Sequence, residues 1–339
     1  MAERQARPRS RGSCGEDCVR GVRRARRGAQ TGVRRLTLRA LLTRRLVFVT
    51  GKGGVGKSAV SAALARVAAA QGKRVLVCEM DDKGSLAAYL GRGTLGFAPT
   101  EVSPGVFAMA MNTEDSLREY IRLFLRLPVI TSLAPLARIF DFVANAAPAV
   151  KEILAVGKLC YEVRERNYDV VIVDSEASGH FVAQVSAPDA LATLVRIGIV
   201  ADQTRWMSDL LHDHSVSSVL AVVTPEEMPV VETIELRDRL AKATPIDFAG
   251  VVVNRMPRDT VSEAVLADAR SMGTVESSVA VAEWLVDRRR AAQAQVERLA
   301  ETLDRAVLAK VLESTDASSP SEVVDHIVDE FTLHLGGAA

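Results

Sequence analysis

Aromatic side chains, cysteines and long apolar runs are all scarce in this sequence of 339 residues. Aromatic residues make up only 4% of the chain, which predicts a core of Ala, Val and Leu and favours helices packed on a sheet over a β-sandwich. The four cysteines show no disulfide framework, so a reducing, cytoplasmic location is expected. No uncharged apolar run reaches about 18 residues, so the sequence predicts neither a membrane span nor a stable membrane anchor.

Lysine is missing from residues 1–45, which hold fourteen arginines and only three acidic residues. The remaining 29 basic and 39 acidic residues give a net charge of −10, which disfavours binding to nucleic acid or to anionic lipid. We therefore expect no nucleic acid partner. Residues 1–45 are interpreted as a basic, disordered tail or as the product of a start codon chosen too far upstream, and residues 46–339 as the folded domain.

The chain does contain a clear order of strand, loop, helix and strand near its beginning. "RLVFVT" is a β-rich apolar run, "SAVSAALARVAAAQGK" is an Ala-rich helix, and "RVLVCEM" is a second strand. Further strands are predicted at Gly105–Met111, "YDVVIVD", "SSVLAVVT" and "FAGVVVN", and helical segments at about 113–166, 181–215 and 259–335. Continuous apolar strands indicate burial on both faces, so the prediction is an α/β fold: a doubly wound, mostly parallel sheet flanked by helices, with a helical subdomain.

The loop after the first strand reads "TGKGGVGKS", residues 50–58, and is called the glycine loop below. It satisfies the pattern G-x-x-x-x-G-K-[ST] of phosphate-binding loops, in which backbone N–H groups and a helix N-terminus approach phosphate oxygens. Lys57 is predicted to reach the outer phosphates of a nucleoside triphosphate, and the Ser58 hydroxyl to bind Mg²⁺. The predicted nucleotide-binding residues here are Gly51, Gly53, Gly54, Val55, Gly56, Lys57, Ser58 and Ala59.

Carboxylates follow two of the predicted strands, at the edge of a parallel sheet where ligands bind. Asp174 ends "YDVVIVD" and is predicted to hold Mg²⁺, directly or through a water molecule. Asp81 and Asp82 end the second strand, and either could orient the attacking water. A helix cap at Asp174 and a solvated turn at Asp81 and Asp82 are the alternatives without a catalytic role.

The glycine loop carries an additional lysine, Lys52, directly after its first glycine. In this it resembles the deviant Walker A loop of the ATPases that include the arsenite-pump ATPase ArsA, the tail-anchored-protein targeting ATPase, MinD, ParA and the nitrogenase iron protein. In that group the additional lysine reaches the phosphates of the neighbouring subunit. The resemblance therefore implies a dimer in which Lys57 acts within its own chain and Lys52 acts on the partner's nucleotide.

Three further stretches resemble the ArsA-like branch of that group. "EMDDKGSL" is similar to its switch I, which implies that Asp81 orients the water, and "DSEASGH" is similar to its switch II, matching Asp174, Gly179 and His180. "VVVNR" implies that Asn254 reads the adenine. The resemblance thus implies ATP and Mg²⁺ as cofactors, catalytic roles for Lys52, Lys57 and Asp81, and nucleotide contacts at Gly179 and Asn254.

Switch II departs from the family pattern, since Glu176 and Ala177 stand where the family has Ala and Pro. The expectation is slow hydrolysis or altered closure. The leading hypothesis is a cytoplasmic, Mg-dependent ATPase of ArsA-like type, a homodimer or a heterodimer with a related ATPase, that acts on an unidentified protein client. The alternatives are a positioning ATPase like MinD or ParA, and a slow regulatory subunit of an ATPase heterodimer.

Overall fold

The computed structural model describes residues 37–80, 84–120, 149–194, 197–272, 276–304 and 307–336. The strands in these ranges are β1 Leu46–Gly51, β2 Val75–Glu79, β3 Thr100–Ser103, β4 Val106–Ala110, β5 Val170–Ala177, β6 Ser217–Val223, β7 Asp247–Met256 and β8 Val307–Leu312. They form one sheet in the order β3-β4-β2-β5-β1-β6-β7-β8. Every neighbouring pair is parallel except β3 with β4.

Helices cover both faces of this sheet. In the described ranges they are α1 Leu38–Leu41, α2 Lys57–Ala70, α3 Ser85–Tyr89, α4 Thr113–Tyr120, α5 Ala149–Arg164, α6 Ser178–Leu194, α7 Ile199–His212, α8 Glu227–Ala243, α9 Glu263–Ser271, α10 Glu276–Thr302 and α11 Pro320–Gly336. Helices α1, α2, α3 and α11 pack on one face. Helices α5, α6, α7, α8 and α10 pack on the other.

The central strand β1 shows why the apolar runs are continuous. Val47 and Val49 enter the core on the α2 face, while Leu46 and Phe48 enter the opposite core, where the Phe48 ring lies 5.8 Å from the Phe181 ring. All residues of β1 are buried, because a central strand of a doubly covered sheet has no solvent face. The predicted α/β fold with a mostly parallel, doubly wound sheet is confirmed, and it is the fold of a P-loop NTPase.

The prediction that the segment 259–335 is helical is wrong at one place. Residues 307–312, "VLAKVL", form β8, which pairs in parallel with β7 and closes that side of the sheet. Buried and exposed residues alternate from Ala309 to Leu312, as in an edge strand covered on one face, and the buried residues of β8 belong to the same core as those of α11. Six residues are too few to reveal a period between two long helices, so pairing with β7 decides the structure.

The boundary between tail and domain at residue 45 is also wrong. Residues 38–41 form α1, the Thr37 hydroxyl accepts a hydrogen bond from the N–H of Ala40 at 3.2 Å, and Leu38, Leu41 and Leu42 are buried in the core beside α2. Because arginines flank this short apolar helix on both sides, its pattern in the sequence is not distinguishable from that of the basic tail. The packed domain therefore begins before residue 46, while residues 1–36 lie outside the described part.

Two of the predicted helical segments each correspond to a pair of helices. The segment 181–215 contains α6 and α7, and the segment 113–166 contains α4 and α5, with residues 121–148 between them outside the described ranges. Among the helices that the structure describes, not one combines the length and the hydropathy that crossing a bilayer requires.

Candidate functional site

The glycine loop joins the end of β1 to the start of α2, which is the context that the motif requires. Gly51, Gly54 and Gly56 have φ values of +147°, +87° and +97°, a region that L side chains rarely adopt. A Cβ atom at Gly51 would lie 2.2 Å from the carbonyl oxygen of Val222 in β6. The loop therefore needs glycine at these positions for its backbone conformation and, at Gly51, for close approach of a neighbouring strand.

A cavity of about 280 Å³ opens beside this loop at the carboxyl ends of the parallel strands, and we call it the glycine-loop cavity. Its size is close to the lower end of the range for ligand-binding cavities, about 300–1,000 Å³. Of the predicted site residues, those that line it are Gly53, Gly54, Gly56, Lys57, Ser58 and Asp174. Sequence reasoning missed the others: Glu79, Ser85, Tyr89, Ser175 and Arg255, together with Ala177, whose contact with the cavity was not expected.

Two buried carboxylates lie side by side in this cavity. Asp174 in β5 and Glu79 at the end of β2 are register partners on neighbouring strands, and they are 5% and 3% exposed. Glu79 accepts a hydrogen bond from the N–H of Leu86 at 3.1 Å, which ties β2 to the first turn of α3. The only sign of Glu79 in the sequence is a charged residue at the end of an otherwise apolar strand.

Burial raises the pKa of Asp174 to about 6. A hydrogen bond from Ser58 and the positive charge of Lys57 oppose this shift, while repulsion from Glu79 adds to it, and Ser61 contributes a long hydrogen bond of 3.5 Å. Ionised Asp174 is thus costly unless a cation is nearby. A carboxylate and the Ser58 hydroxyl are hard oxygen donors of the kind that Mg²⁺ prefers, so the residues present fit this ion.

The two lysines of the glycine loop have different surroundings. Lys57 lines the cavity, and its Nζ donates to the carbonyl oxygen of Lys52 at 3.3 Å. Lys52 does not line the cavity; its Nζ lies 2.6 Å from Oε1 of Glu232 in α8, and both side chains are about one-third exposed. Within one chain, therefore, Lys57 lines the glycine-loop cavity, and Lys52 is paired at the surface beside it.

Asn254 lies underneath the glycine loop. Its side chain is buried, and Nδ2 donates to the carbonyl oxygen of Val55 at 2.9 Å. A Cβ atom at Gly56 would approach the same Nδ2 to 2.3 Å. Asn254 thus anchors the loop at Val55, and the reading of adenine by Asn254 stays a prediction; the side chains of Val55 and Ala59 are buried.

The first four residues of the switch II stretch, Asp174 to Ala177, continue strand β5, and the pairing with β1 shifts register among them. β5 extends past Asp174 to Ala177, which pairs with Gly51, and the carbonyl oxygen of Glu176 accepts a hydrogen bond from the Thr50 hydroxyl at 3.2 Å. Helix α6 begins at the next residue, so no loop separates strand from helix. Ala177 carries the N–H that proline would lack, and it therefore permits this extension.

The remaining residues predicted around the switches are placed as follows. Glu176 is not among the residues that line the glycine-loop cavity. Gly179 lies in the first turn of α6 and does not line the cavity either. Asp81 and Asp82 lie outside the described residues.

Comparison with known proteins gives consistent matches. The sequence profile of the family described as anion-transporting ATPase matches residues 44–201 and 193–275. ATPase BagA of Mycobacterium tuberculosis is 31% identical over 222 residues, which span 62% of this chain and 65% of that protein. The ATPase ASNA1 homolog of Babesia bovis is 24% identical over 263 residues, 66% of this chain and 69% of its own length. The putative arsenical pump-driving ATPase 2 of Aquifex aeolicus is 24% identical over 244 residues, 62% of this chain and 80% of its own length.

Proposed function

Because the chain belongs to the anion-transporting ATPase family, the ArsA family, we propose that it binds ATP with Mg²⁺ and hydrolyses it as a dimeric, cytoplasmic switch acting on a protein client. One observation carries the proposal: the glycine-loop cavity brings Lys57, Ser58 and the buried carboxylate of Asp174 together around backbone N–H groups. Lys57 and the backbone amides suit an anionic phosphate chain, the Ser58 hydroxyl and the Asp174 carboxylate suit a divalent cation, and Mg-ATP supplies both.

The groups of this chain have separate roles in the proposed reaction. The amides of the glycine loop and the N-terminus of α2 hold the phosphates, and Lys57 neutralises the charge that develops on them. Ser58 and Asp174 would hold Mg²⁺, which when bound would withdraw charge from the phosphate oxygens. Asp81 is proposed, from the resemblance, to orient the attacking water.

Lys52 is proposed to act on the nucleotide of a second subunit. Its position supports this, because within its own chain Lys52 is paired with Glu232 and does not line the cavity. Closure of the dimer would then exchange the Glu232 carboxylate for a phosphate group of the partner. Hydrolysis would reverse the exchange and reset the switch.

Turnover of purified protein, with excess MgATP, tests the proposal. Lys57→Ala is expected to abolish ATP binding, whereas Lys52→Ala is expected to keep binding and lose turnover. Mixing the two variants should restore part of the turnover, because each Lys57→Ala chain supplies an intact Lys52 to the other. Lys242→Ala, which removes an exposed lysine in the last turn of α8, is the matched control and should behave as wild type. Unchanged turnover in the Lys57 variant would refute ATP hydrolysis at this loop.

A second candidate is a slow subunit that binds ATP and pairs with a more active relative. The extension of β5 to Ala177 favours it, because a switch whose first residues are held beside β1, at Asp174 and again at Ala177, has less freedom to respond to the γ-phosphate. Single-turnover hydrolysis, measured with and without a co-purified related ATPase, separates the two candidates. A rate that rises strongly on adding the relative supports the slow subunit, and a fast rate without it excludes it.

A further inference from the structure

An unusual backbone conformation occurs in β7 next to the glycine loop. Three residues other than glycine have a positive φ: Arg166, Arg255 and Asp304, among the described residues. Arg166 and Asp304 follow the ends of α5 and α10, where the left-handed conformation is common. Arg255, with φ of +58°, lies inside a strand, and the pairing of β7 with β8 shifts register between Val253 and Met256.

This conformation has an energetic cost for arginine that glycine at the same position would avoid. An L side chain in the left-handed region is strained, and glycine would adopt the same backbone freely. Bulges that interrupt a strand turn side chains out of their alternating order, and they are common next to binding sites. Strain of this kind persists only where the surrounding structure fixes the conformation, and it is concentrated at active sites and ligand-binding sites.

Arg255 lies at the glycine-loop cavity. Arg255 is exposed and lines the cavity together with Gly54 and Lys57, whereas its neighbour Asn254 is buried beneath the loop. Within the part of the chain that the structure describes, the guanidinium forms neither a hydrogen bond nor an ion pair. The other cation of the cavity, Lys57, already contacts the loop backbone.

The ligand that fits this arrangement is a phosphate group. A guanidinium offers five N–H donors in a planar fork, which matches the spacing of phosphate oxygens better than an ammonium group does. The cavity that it lines is also the one in which glycine amides and Lys57 converge. A ligand with one anionic group would be shared by Lys57 and Arg255, and a chain of phosphates could contact both at once.

We propose that Arg255 binds the phosphates of the nucleotide, and that the bulge in β7 turns its side chain into the glycine-loop cavity for that purpose. This inference rests on the proposed function, because it assumes that the cavity takes a nucleoside triphosphate. It adds a phosphate-binding residue from a strand on the far side of the loop from Asp174 and Glu79.

Arg255→Gly in the full chain gives the decisive test, since it removes the guanidinium and relieves the strained backbone. Affinity for ATP and for inorganic triphosphate is measured by competition against a fluorescent ATP analogue, and the melting temperature is measured without ligand. Both affinities are expected to fall about tenfold, equivalent to about 1.4 kcal/mol, while the melting temperature stays the same or rises. The matched control is Arg258→Ala, three residues further on, where Nε donates to the carbonyl oxygen of Glu313 outside the cavity; it should keep both affinities.

The outcomes separate this inference from the proposed function. If wild type binds ATP, Lys57→Ala does not, and Arg255→Gly binds as wild type, the inference fails and the proposed function stands. A loss of affinity for ATP without a loss for inorganic triphosphate overturns the phosphate contact in favour of a contact to the nucleoside. A lower melting temperature of Arg255→Gly shows a structural role and also overturns the inference. If wild type binds neither ligand, both the proposed function and the inference fail.

Discussion

The contact between Asn254 and the glycine loop predicts that Gly56→Ala and Asn254→Ala are strongly coupled. Gly56 is the residue before α2, with φ of +97° and ψ of +28°, and a Cβ atom there would meet Nδ2 of Asn254 at 2.3 Å. Alanine would therefore push the Asn254 side chain away and break its hydrogen bond to the carbonyl oxygen of Val55. Val55 is buried, so its carbonyl oxygen would lose its partner in a site poorly accessible to water.

The size of the effect follows from two contributions. The left-handed backbone costs alanine about 1–2 kcal/mol, and loss of a buried hydrogen bond costs about 1–3 kcal/mol. Gly56→Ala should thus lower the free energy of unfolding by about 2–5 kcal/mol. Asn254→Ala alone should cost about 1–3 kcal/mol. In the double variant the hydrogen bond is lost only once, so its cost should be smaller than the sum of the two single costs by about 1–3 kcal/mol.

Denaturant unfolding of the ligand-free full chain measures the four proteins of this double-mutant cycle: wild type, the two single variants and the double variant. Gly53→Ala is the matched control, because Gly53 lies in the same loop without a left-handed φ and a Cβ atom there would meet nothing within 4 Å; its cost should stay within about 0.5 kcal/mol. The contact between Gly56 and Asn254 would be refuted if the costs of the two single variants simply add in the double variant, or if Gly53→Ala costs as much as Gly56→Ala.

Three further predictions concern charge, assembly and the domain boundary. Asp174→Asn should raise the free energy of unfolding of the ligand-free protein by about 3 kcal/mol at pH 7.5 and by almost nothing near pH 4. The reason is that the pKa of the Asp174 carboxyl is about 6 in the folded chain and 3.8 in the unfolded chain. Wild-type stability therefore falls as pH rises between these two values, and the Asn variant does not lose it. A pH series of unfolding curves in chelator checks this, and a pH-independent difference would contradict it. Glu232→Gln removes the ion pair of Lys52, so it should leave ATP affinity unchanged and raise the association constant of the ATP-dependent dimer up to about fivefold in sedimentation experiments. Weaker dimerisation would contradict the proposal that Lys52 leaves Glu232 for the partner's phosphates. Leu41→Ala should lower the free energy of unfolding by about 2–5 kcal/mol, whereas a residue of a disordered tail would show no change.

The glycine loop could be predicted from the sequence because its chemistry is local. Gly51, Gly56, Lys57 and Ser58 are fixed by spacing, and the strand before them and the helix after them follow from apolar pattern. Asp174 could be predicted for a related reason, since an acidic residue that ends a buried strand must lie at the carboxyl edge. In the structure, three of these four loop residues line the cavity with Asp174, and the fourth, Gly51, lies against Val222 in β6.

Glu79 and Arg255 could not be predicted as site residues. Glu79 reaches the cavity because β2 pairs with β5 in the register that sets it beside Asp174, and register across about 95 positions of chain cannot be read from one strand. Arg255 reaches it because β7 bulges where its pairing with β8 shifts, and β8 was itself hidden between two helices. Both depend on which strands pair, a matter of tertiary structure.

The sequence by itself determined the class of fold and the glycine loop with its phosphate-binding pattern, because short-range spacing and hydrophobic pattern act within a few residues along the chain. Only the tertiary structure decided how far the packed domain extends, which side chains meet around the cavity and which lysine faces it. Lys52 and Lys57 are five positions apart in one loop, yet Lys57 lines the cavity and Lys52 is paired with Glu232 in α8. That separation arises from α8 packing beside the loop, and no local pattern specifies the position of a helix that begins about 170 residues later in the chain.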